Sequence, residues 1–350
     1  MEILLIIVGI LTLGYTFTNG FQDGSSVTAT AIISRSMDPA KTVILVTACE
    51  FFGAIFGGSA VANTIQSITC YPLITSSHPA AGIHESILPV VAIGLTAAIS
   101  WNYLTRYFKL PSSSTHALVG GILGSVAAAT GSFKYIVWGD INMLYNATGV
   151  WRVLAALFIS PPIGMIAGWT LFKLSMLFLR NATTKINKLI VAGQYITLPI
   201  LSFAHGANDT QKSMGVAALC LFAAGQSTTI DIPLWLRIAT GLAMVTGIIG
   251  LAPGIVKRVG AGIFPLKPIH ALATQGAAAA VILTGSLTGG PVATSQVIAS
   301  SVIGVGTAQR GRAVHWLVAA DMLIAWVLTI PCSALLAAAI TVIARQLGTI

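Results

Sequence analysis

The sequence predicts an all-α membrane protein of two inverted repeats, with about ten to twelve transmembrane or half-membrane helices, broken at a site near the midplane. Three observations point to it. The 350 residues are 55% hydrophobic and only 8% charged, with mean hydropathy +0.88, whereas a soluble domain carries about 25% charged residues. Several stretches match the roughly 20 apolar residues that cross a bilayer, among them Val43–Ile65, Ile87–Leu104, Trp235–Val256, Ala271–Leu287 and Ala313–Ile343. The third observation is duplication. Phe17-Thr18-Asn19-Gly20-Phe21-Gln22-Asp23 returns as Phe203-Ala204-His205-Gly206-Ala207-Asn208-Asp209, offset by 186 (209 − 23). Pro111-Ser112-Ser113-Ser114-Thr115-His116 returns as Pro291-Val292-Ala293-Thr294-Ser295-Gln296, offset by 180 (291 − 111). Two different polar interruptions, repeated in order at nearly one spacing, imply one composite site shared by two halves.

The halves divide at 1–180 and 181–350, and loop charges relate them. In the first half Arg35 and Lys41 bracket one loop and Arg106 and Lys109 mark another, while the intervening loop 66–84 has no Lys or Arg. In the second half the intervening loop carries Lys257, Arg258 and Lys267, and the flanking loop around Thr288–Pro291 is uncharged. Basic loops favour the cytoplasm, so the halves should be inserted upside down relative to each other, with both termini outside. Lys134 and Arg152 are the exceptions. Inversion needs an odd number of net crossings per half, and five fits the segment count if the first and last motifs break helices. The apolar runs lack the two-residue alternation of a barrel. The N-terminal segment, beginning with Glu2 and lacking a basic region, reads as a retained helix. The formal net charge of +9 comes from single loop residues, not a basic face, so nucleic acid is not an expected partner. Cys49, Cys70, Cys220 and Cys332 show no metal-ligand or paired spacing and read as small core residues, with no disulfide expected.

Each polar motif stands before a helix-forming stretch: Ser25–Ser34, Ala117–Thr130, Thr210–Ala224 and Val297–Gly306. Gly20, Gly206, Pro111 and Pro291 are expected to break the preceding helix, and the Asn, Asp, Ser and Thr that follow to cap the next. Four helix N-termini would then face one another, each with free N–H groups and a partial positive charge suited to an oxyanion. The hydroxyls of Ser113, Ser114, Thr115, Thr294 and Ser295 and the amides of Gln22, Asn208 and Gln296 add donors for a tetrahedral anion. Asp23 and Asp209 would repel that anion unless cations bind with it. Carboxylates, amide carbonyls and unwound backbone suit a hard ion such as sodium, with Asn19, Asp23, Asn208, Asp209 and Glu50 as the ligand set. Protonation of the carboxylates would serve equally well. Coupled cation and anion transport follows more naturally than a plain anion channel.

The remaining polar residues have plainer readings. Runs of Ser and Thr in membrane helices often bond only their own backbone. His116 aligns with Gln296 and His205 with Asn19, so the repeat does not demand imidazole, and hydrogen bonding is the simpler role. Lys212 lies one turn after Asp209, where the repeat has Ser26, and either neutralises Asp209 or approaches substrate. Glu50 is a second cation ligand or a helix-pairing residue. His270 and His315 read as structural.

At these residues the sequence resembles the inorganic phosphate transporter (PiT) family of sodium- or proton-coupled phosphate symporters. The Gly206-Ala207-Asn208-Asp209 signature, Pro111–His116 and Glu50-Phe51-Phe52-Gly53-Ala54 match its motifs in order along the whole chain. Two positions depart from the pattern: Phe21 and Gln22 stand where the family usually has Ala and Asn, and Gln275 where a Glu is expected. The resemblance implies an inverted-repeat helical fold in a multi-pass cell-membrane protein. Phosphate would bind between the halves with sodium as coupling ion and no other cofactor. The expected partners are therefore phosphate, sodium and the lipid bilayer, with a homodimer as the candidate assembly. Proton-coupled phosphate or sulfate transport is the alternative. A membrane-embedded phosphotransferase is the less favoured alternative, since it would need a nucleophile and a distinct base or metal set, and only the duplicated Asp pair offers a candidate.

Overall fold

The structure, a computed structural model, describes residues 2–68, 83–140 and 147–348; most of the loop 66–84, with Cys70, lies outside them. Among the described residues there are twelve α-helices, six in each half. The first half holds α1 (Glu2–Ile33), α2 (Pro39–Phe56), α3 (Ala60–Ile68), α4 (Ile83–Tyr107), α5 (Ser114–Thr130) and α6 (Gly149–Phe178). The second holds α7 (Ile186–Ala223), α8 (Leu234–Ile249), α9 (Pro253–Lys257) with a π-helical turn at Arg258–Gly262, α10 (Pro268–Thr288), α11 (Thr294–Arg310) and α12 (Trp316–Gln346). Among the described residues seven helices are long and apolar enough to cross a membrane, and α8 with α9, bent by 71°, makes an eighth if counted as one span.

Two expected spans are interrupted. Val43–Ile65 is divided between α2 and α3, and Trp235–Val256 breaks ahead of Pro253, where proline disfavours helical backbone in the residue before it. A larger correction concerns the acidic motifs. α1 and α7 run unbroken through residues 17–23 and 203–209, so neither Gly20 nor Gly206 ends a helix, and Asn19, Asp23, Asn208 and Asp209 cap nothing. A single glycine costs only about 1 kcal/mol inside a helix, and here close packing offsets that cost. A Cβ on Gly20 would stand 2.3 Å from the Met244 carbonyl oxygen, and one on Gly206 2.2 Å from that of Glu50. The glycines let α1 meet α8 and α7 meet α2 backbone to backbone. The prolines behave as expected: α4 gives way to α5 around Pro111, and α10 to α11 around Pro291.

Packing partners exchange between the halves. α1 lies on α8 as α7 lies on α2; α1 lies on α4 as α7 lies on α10; α5 lies on α12 and α11 on α6. The halves are interleaved around a shared centre. Basic turns gather at one end. An Arg106 guanidinium nitrogen donates to Gly250 O at 3.0 Å, Ile33 packs on Gly260, Gln194 links Ser36 to Pro268, and the His315 amide donates to Ile263 O at 2.9 Å.

Candidate functional site

Two long helices and two helix beginnings build the site. Tyr15, Asn19 and Asp23 recur every four residues on one face of α1, and His205, Asp209 and Lys212 share a face of α7. α5 and α11 point their N-termini between these faces. Every site residue predicted from the sequence is buried, none more than 2% exposed. Because α1 and α7 are continuous, two helix N-termini reach the centre, not four. Ser113 caps α5, its Oγ accepting from the His116 amide at 3.3 Å; α11 has Ala293 in that place and no side-chain cap.

The duplicated motifs pair within each half by the same rule. Ser114 donates to Asp23 through a short hydrogen bond, and Thr294, its mate at the 180 offset, donates to Asp209 at 2.9 Å. Gln22 donates to the Leu110 carbonyl at 3.0 Å, and Asn208 to the Gly290 carbonyl at 3.1 Å; 110 and 290 are again 180 apart (290 − 110). In each half the side chain preceding the Asp thus latches the loop that precedes the helix start, while the Asp receives the hydroxyl at that start. The halves meet where Gln296 Nε2 lies 3.1 Å from Nδ1 of His116, its own repeat mate, and where Ser295 donates to Ser112 O at 3.4 Å. Contact between repeat mates is what a two-fold relation of the halves would produce.

Asn19 bridges the acids. With its amide nitrogen facing the carboxylates, it stands 2.8 Å from Asp23 Oδ2, 3.3 Å from Asp209 Oδ2 and 2.8 Å from Ser114 Oγ. Asp209 is further approached by a lysine and an imidazole. Lys212 Nζ donates to Asp209 Oδ1 at 2.5 Å, to Thr115 Oγ1 at 2.6 Å and to Val292 O at 2.8 Å. His205 lies between two acids, Nε2 3.2 Å from Asp209 Oδ2 and Nδ1 2.9 Å from Glu50 Oε2. Glu50 reaches the centre only through that imidazole, and pairs α2 with α7. Asp23 has hydroxyl and amide partners, but no cationic side chain lies within ion-pair distance of it among the described residues. Among the same residues no three His, Cys, Asp or Glu side chains gather into a metal centre, so a cation here would find single carboxylates, hydroxyls and carbonyls. Such oxygens suit a hard monovalent ion. On the far side of the α10–α11 break, a cavity of about 460 Å³ between α6 and α10 reaches Gly290 and Val292, with Arg152 on its wall.

Sequence reasoning did not single out Tyr15, whose hydroxyl donates to Ser114 O at 3.1 Å. Its mate at the 186 offset is Leu201, so duplication gave no signal; the four-residue spacing to Asn19 and Asp23 was the one available. Ser112 was read within the hydroxyl run, yet its carbonyl, not its hydroxyl, faces Ser295.

Fold and site define a class: a multi-pass membrane transporter whose anion-suited helix ends and buried acids meet between two interleaved halves. Within that class the assignment is direct, since the model of the phosphate transporter family matches residues 19–337 and the chain belongs to that family. Its members are transporters, not enzymes, and the apolar helices place the chain in the cell membrane. A Bacillus subtilis relative named a "probable low-affinity inorganic phosphate transporter" is 34% identical over 96% of both chains. A Rhizobium meliloti relative of the same name is 31% identical over 95% of both. A solved structure described as "the sodium-dependent phosphate transporter" shares the fold at TM-score 0.83, with 22% identity over 99% of this chain and 100% of that one.

Proposed function

We propose that the protein is a secondary transporter that imports inorganic phosphate with sodium, through two inverted repeats, 1–180 and 181–350. The observation that carries the reading is the repeated Asp–hydroxyl pair, Asp23 with Ser114 and Asp209 with Thr294, set at two opposed helix N-termini. Those N-termini, with Ser113, Ser114, Thr115, Thr294, Ser295 and Gln296, offer N–H and O–H donors to a tetrahedral anion. Gln22 and Asn208 hold the two loops in register. The acids Asp23 and Asp209, the amides of Asn19 and Asn208, and Glu50 behind His205 supply negative charge and oxygens for the coupling cation. The fold neighbour's description as sodium-dependent supports sodium, and the exchange of packing partners supports the repeats. The test is uptake of labelled phosphate into proteoliposomes. An inward sodium gradient should drive accumulation, and replacing sodium by choline should abolish it. Equal uptake in both would end the sodium reading.

The Glu50–His205–Asp209 array favours a second reading, proton coupling, because carboxylate–imidazole–carboxylate geometry can hold and pass a proton. Accumulation driven by an inward proton gradient in sodium-free buffer would select it.

A further inference from the structure

Among the side chains in which the two halves of the site differ, one is a lysine whose repeat mate carries no charge, and its place is telling. Lys212 Nζ is held by three oxygens, Asp209 Oδ1, Thr115 Oγ1 and Val292 O, at 2.5, 2.6 and 2.8 Å. The repeat offsets map these onto Asp23 (209 − 186), Ser295 (115 + 180) and the Ser112 carbonyl (292 − 180). Two members of that second set meet, since Ser295 Oγ lies 3.4 Å from Ser112 O, and Asp23 is tied to the same helix start through Ser114. Lys212 itself maps onto Ser26 (212 − 186), whose side chain carries no charge and is too short to span the set. Asp23 Oδ1 and Ser26 Oγ are both buried without a hydrogen-bond partner among the described residues. Three residues apart on α1, they share a helix face.

We propose that Lys212 is a tethered cation, its ammonium filling at Asp209 one of two repeat-related cation places, so that a mobile monovalent cation has its place at Asp23. This rests on the cation-coupled reading above and sharpens it. An ammonium is a compact point charge, and it sits among carboxylate, hydroxyl and carbonyl oxygens of the kind that bind hard ions. Asp209 therefore keeps a fixed counter-charge through the cycle. Asp23, buried in the same core, has Ser114 and Asn19 as partners but no cation of its own in contact, and an arriving ion would supply one. Burying an uncompensated carboxylate is costly, and that cost draws a cation to Asp23 together with the anion.

The decisive experiment exchanges the repeat mates in the full chain. Phosphate uptake, labelled-sodium uptake and charge moved per phosphate are measured together in proteoliposomes for wild type, Lys212→Ser, Ser26→Lys and the double exchange. Lys212→Ser should open a second place and raise cations, and charge, carried per phosphate by one. Ser26→Lys should fill the first place, leaving phosphate uptake independent of the cation. The double exchange should restore the wild-type ratio, with Asp209 now the residue whose change to Asn removes cation dependence. An unchanged ratio in Lys212→Ser, or wild-type cation dependence in Ser26→Lys, overturns the assignment, and should one variant not fold the other decides. A wild type indifferent to sodium would overturn the sodium reading alone. The lysine is then judged by charge per phosphate under a proton gradient, which Lys212→Ser must raise by one for the assignment to stand.

Discussion

The two acidic halves of the site are alike in scaffold and unlike in charge. Both place an Asp mid-helix, give it the hydroxyl of an opposing helix start, and latch the neighbouring loop with the preceding amide. Only Asp209 then receives a lysine and approaches an imidazole. Asp23 depends on Ser114 and Asn19. Duplication explains the shared scaffold. The difference shows where the two halves have separate duties, a fixed ion pair on one side and an acid without cationic partner on the other.

The comparison can be broken most forcefully at the acids. Asp209→Asn strands a buried ammonium, and breaking a buried pair from one side costs about 3–5 kcal/mol. Thermal unfolding in detergent should therefore fall steeply for Asp209→Asn and much less for Asp23→Asn, which removes a charge without orphaning a cation. Uptake assays should show the reverse emphasis, since Asp23→Asn should fold and lose its response to the coupling cation. Equal destabilisation in both variants would mean that Lys212 is not the difference.

The hydroxyl pair comes next. Ser114 and Thr294 give their one hydroxyl hydrogen to an Asp here and are expected to turn it to the anion when phosphate binds. A hydrogen bond to a charged group contributes about 1.5–3 kcal/mol, so losing one should weaken phosphate binding by roughly one to two decades. Ser114→Ala and Thr294→Val add neither charge nor much volume, so bilayer insertion should persist. Ser114→Ala should cost more stability, because Asp23 has fewer other donors than Asp209. Unchanged phosphate affinity in both would remove the anion from the junction of α5 and α11.

The parts of the site legible in the sequence were those that are duplicated. Asp23 and Asp209, Ser114 and Thr294, and His116 and Gln296 are repeat mates, and the structure brings each to its counterpart role. The prolines were legible too, because a missing N–H acts locally. Gly20 and Gly206 were misread for a physical reason: a glycine that ends a helix and one that admits a neighbouring helix look the same until the neighbour is known, and Met244 and Glu50 are remote in sequence. Tyr15, whose repeat mate is the apolar Leu201, gave no duplication signal. Lys212 stood out as an asymmetry, but its bond to Thr115 across the halves depends on the fold.

The glycines test how far the scaffold is shared. Gly20→Ala and Gly206→Ala each drive a methyl toward a backbone carbonyl that cannot retreat as a side chain would. Overpacking of this kind costs about 1–3 kcal/mol. The two losses should match within experimental error in thermal unfolding, because the approaches, 2.3 and 2.2 Å, are nearly the same. A large difference would show that the exchanged packing of α1 on α8 and α7 on α2 is not equivalent.

The smallest expected effect separates the two helix starts. Ser113 caps α5 from extended backbone at φ −98°, ψ 116°, while Ala293 precedes α11 at φ −85°, ψ 89° with no side-chain acceptor. Losing a serine cap costs about 1 kcal/mol, so Ser113→Ala should lower stability by that amount. Ala293→Ser should recover a similar amount at α11, since its backbone is close to that of Ser113 and an added Oγ faces the free amides of the first turn. Ala293 is fully buried, so the new oxygen has to find an amide there or it costs stability as an unpaired polar atom. The double variant, Ser113→Ala with Ala293→Ser, should unfold near the wild-type temperature with its capped start moved from one half to the other. A destabilising Ala293→Ser would mean that the first-turn amides of α11 are already engaged, and that the two starts differ in more than a missing hydroxyl.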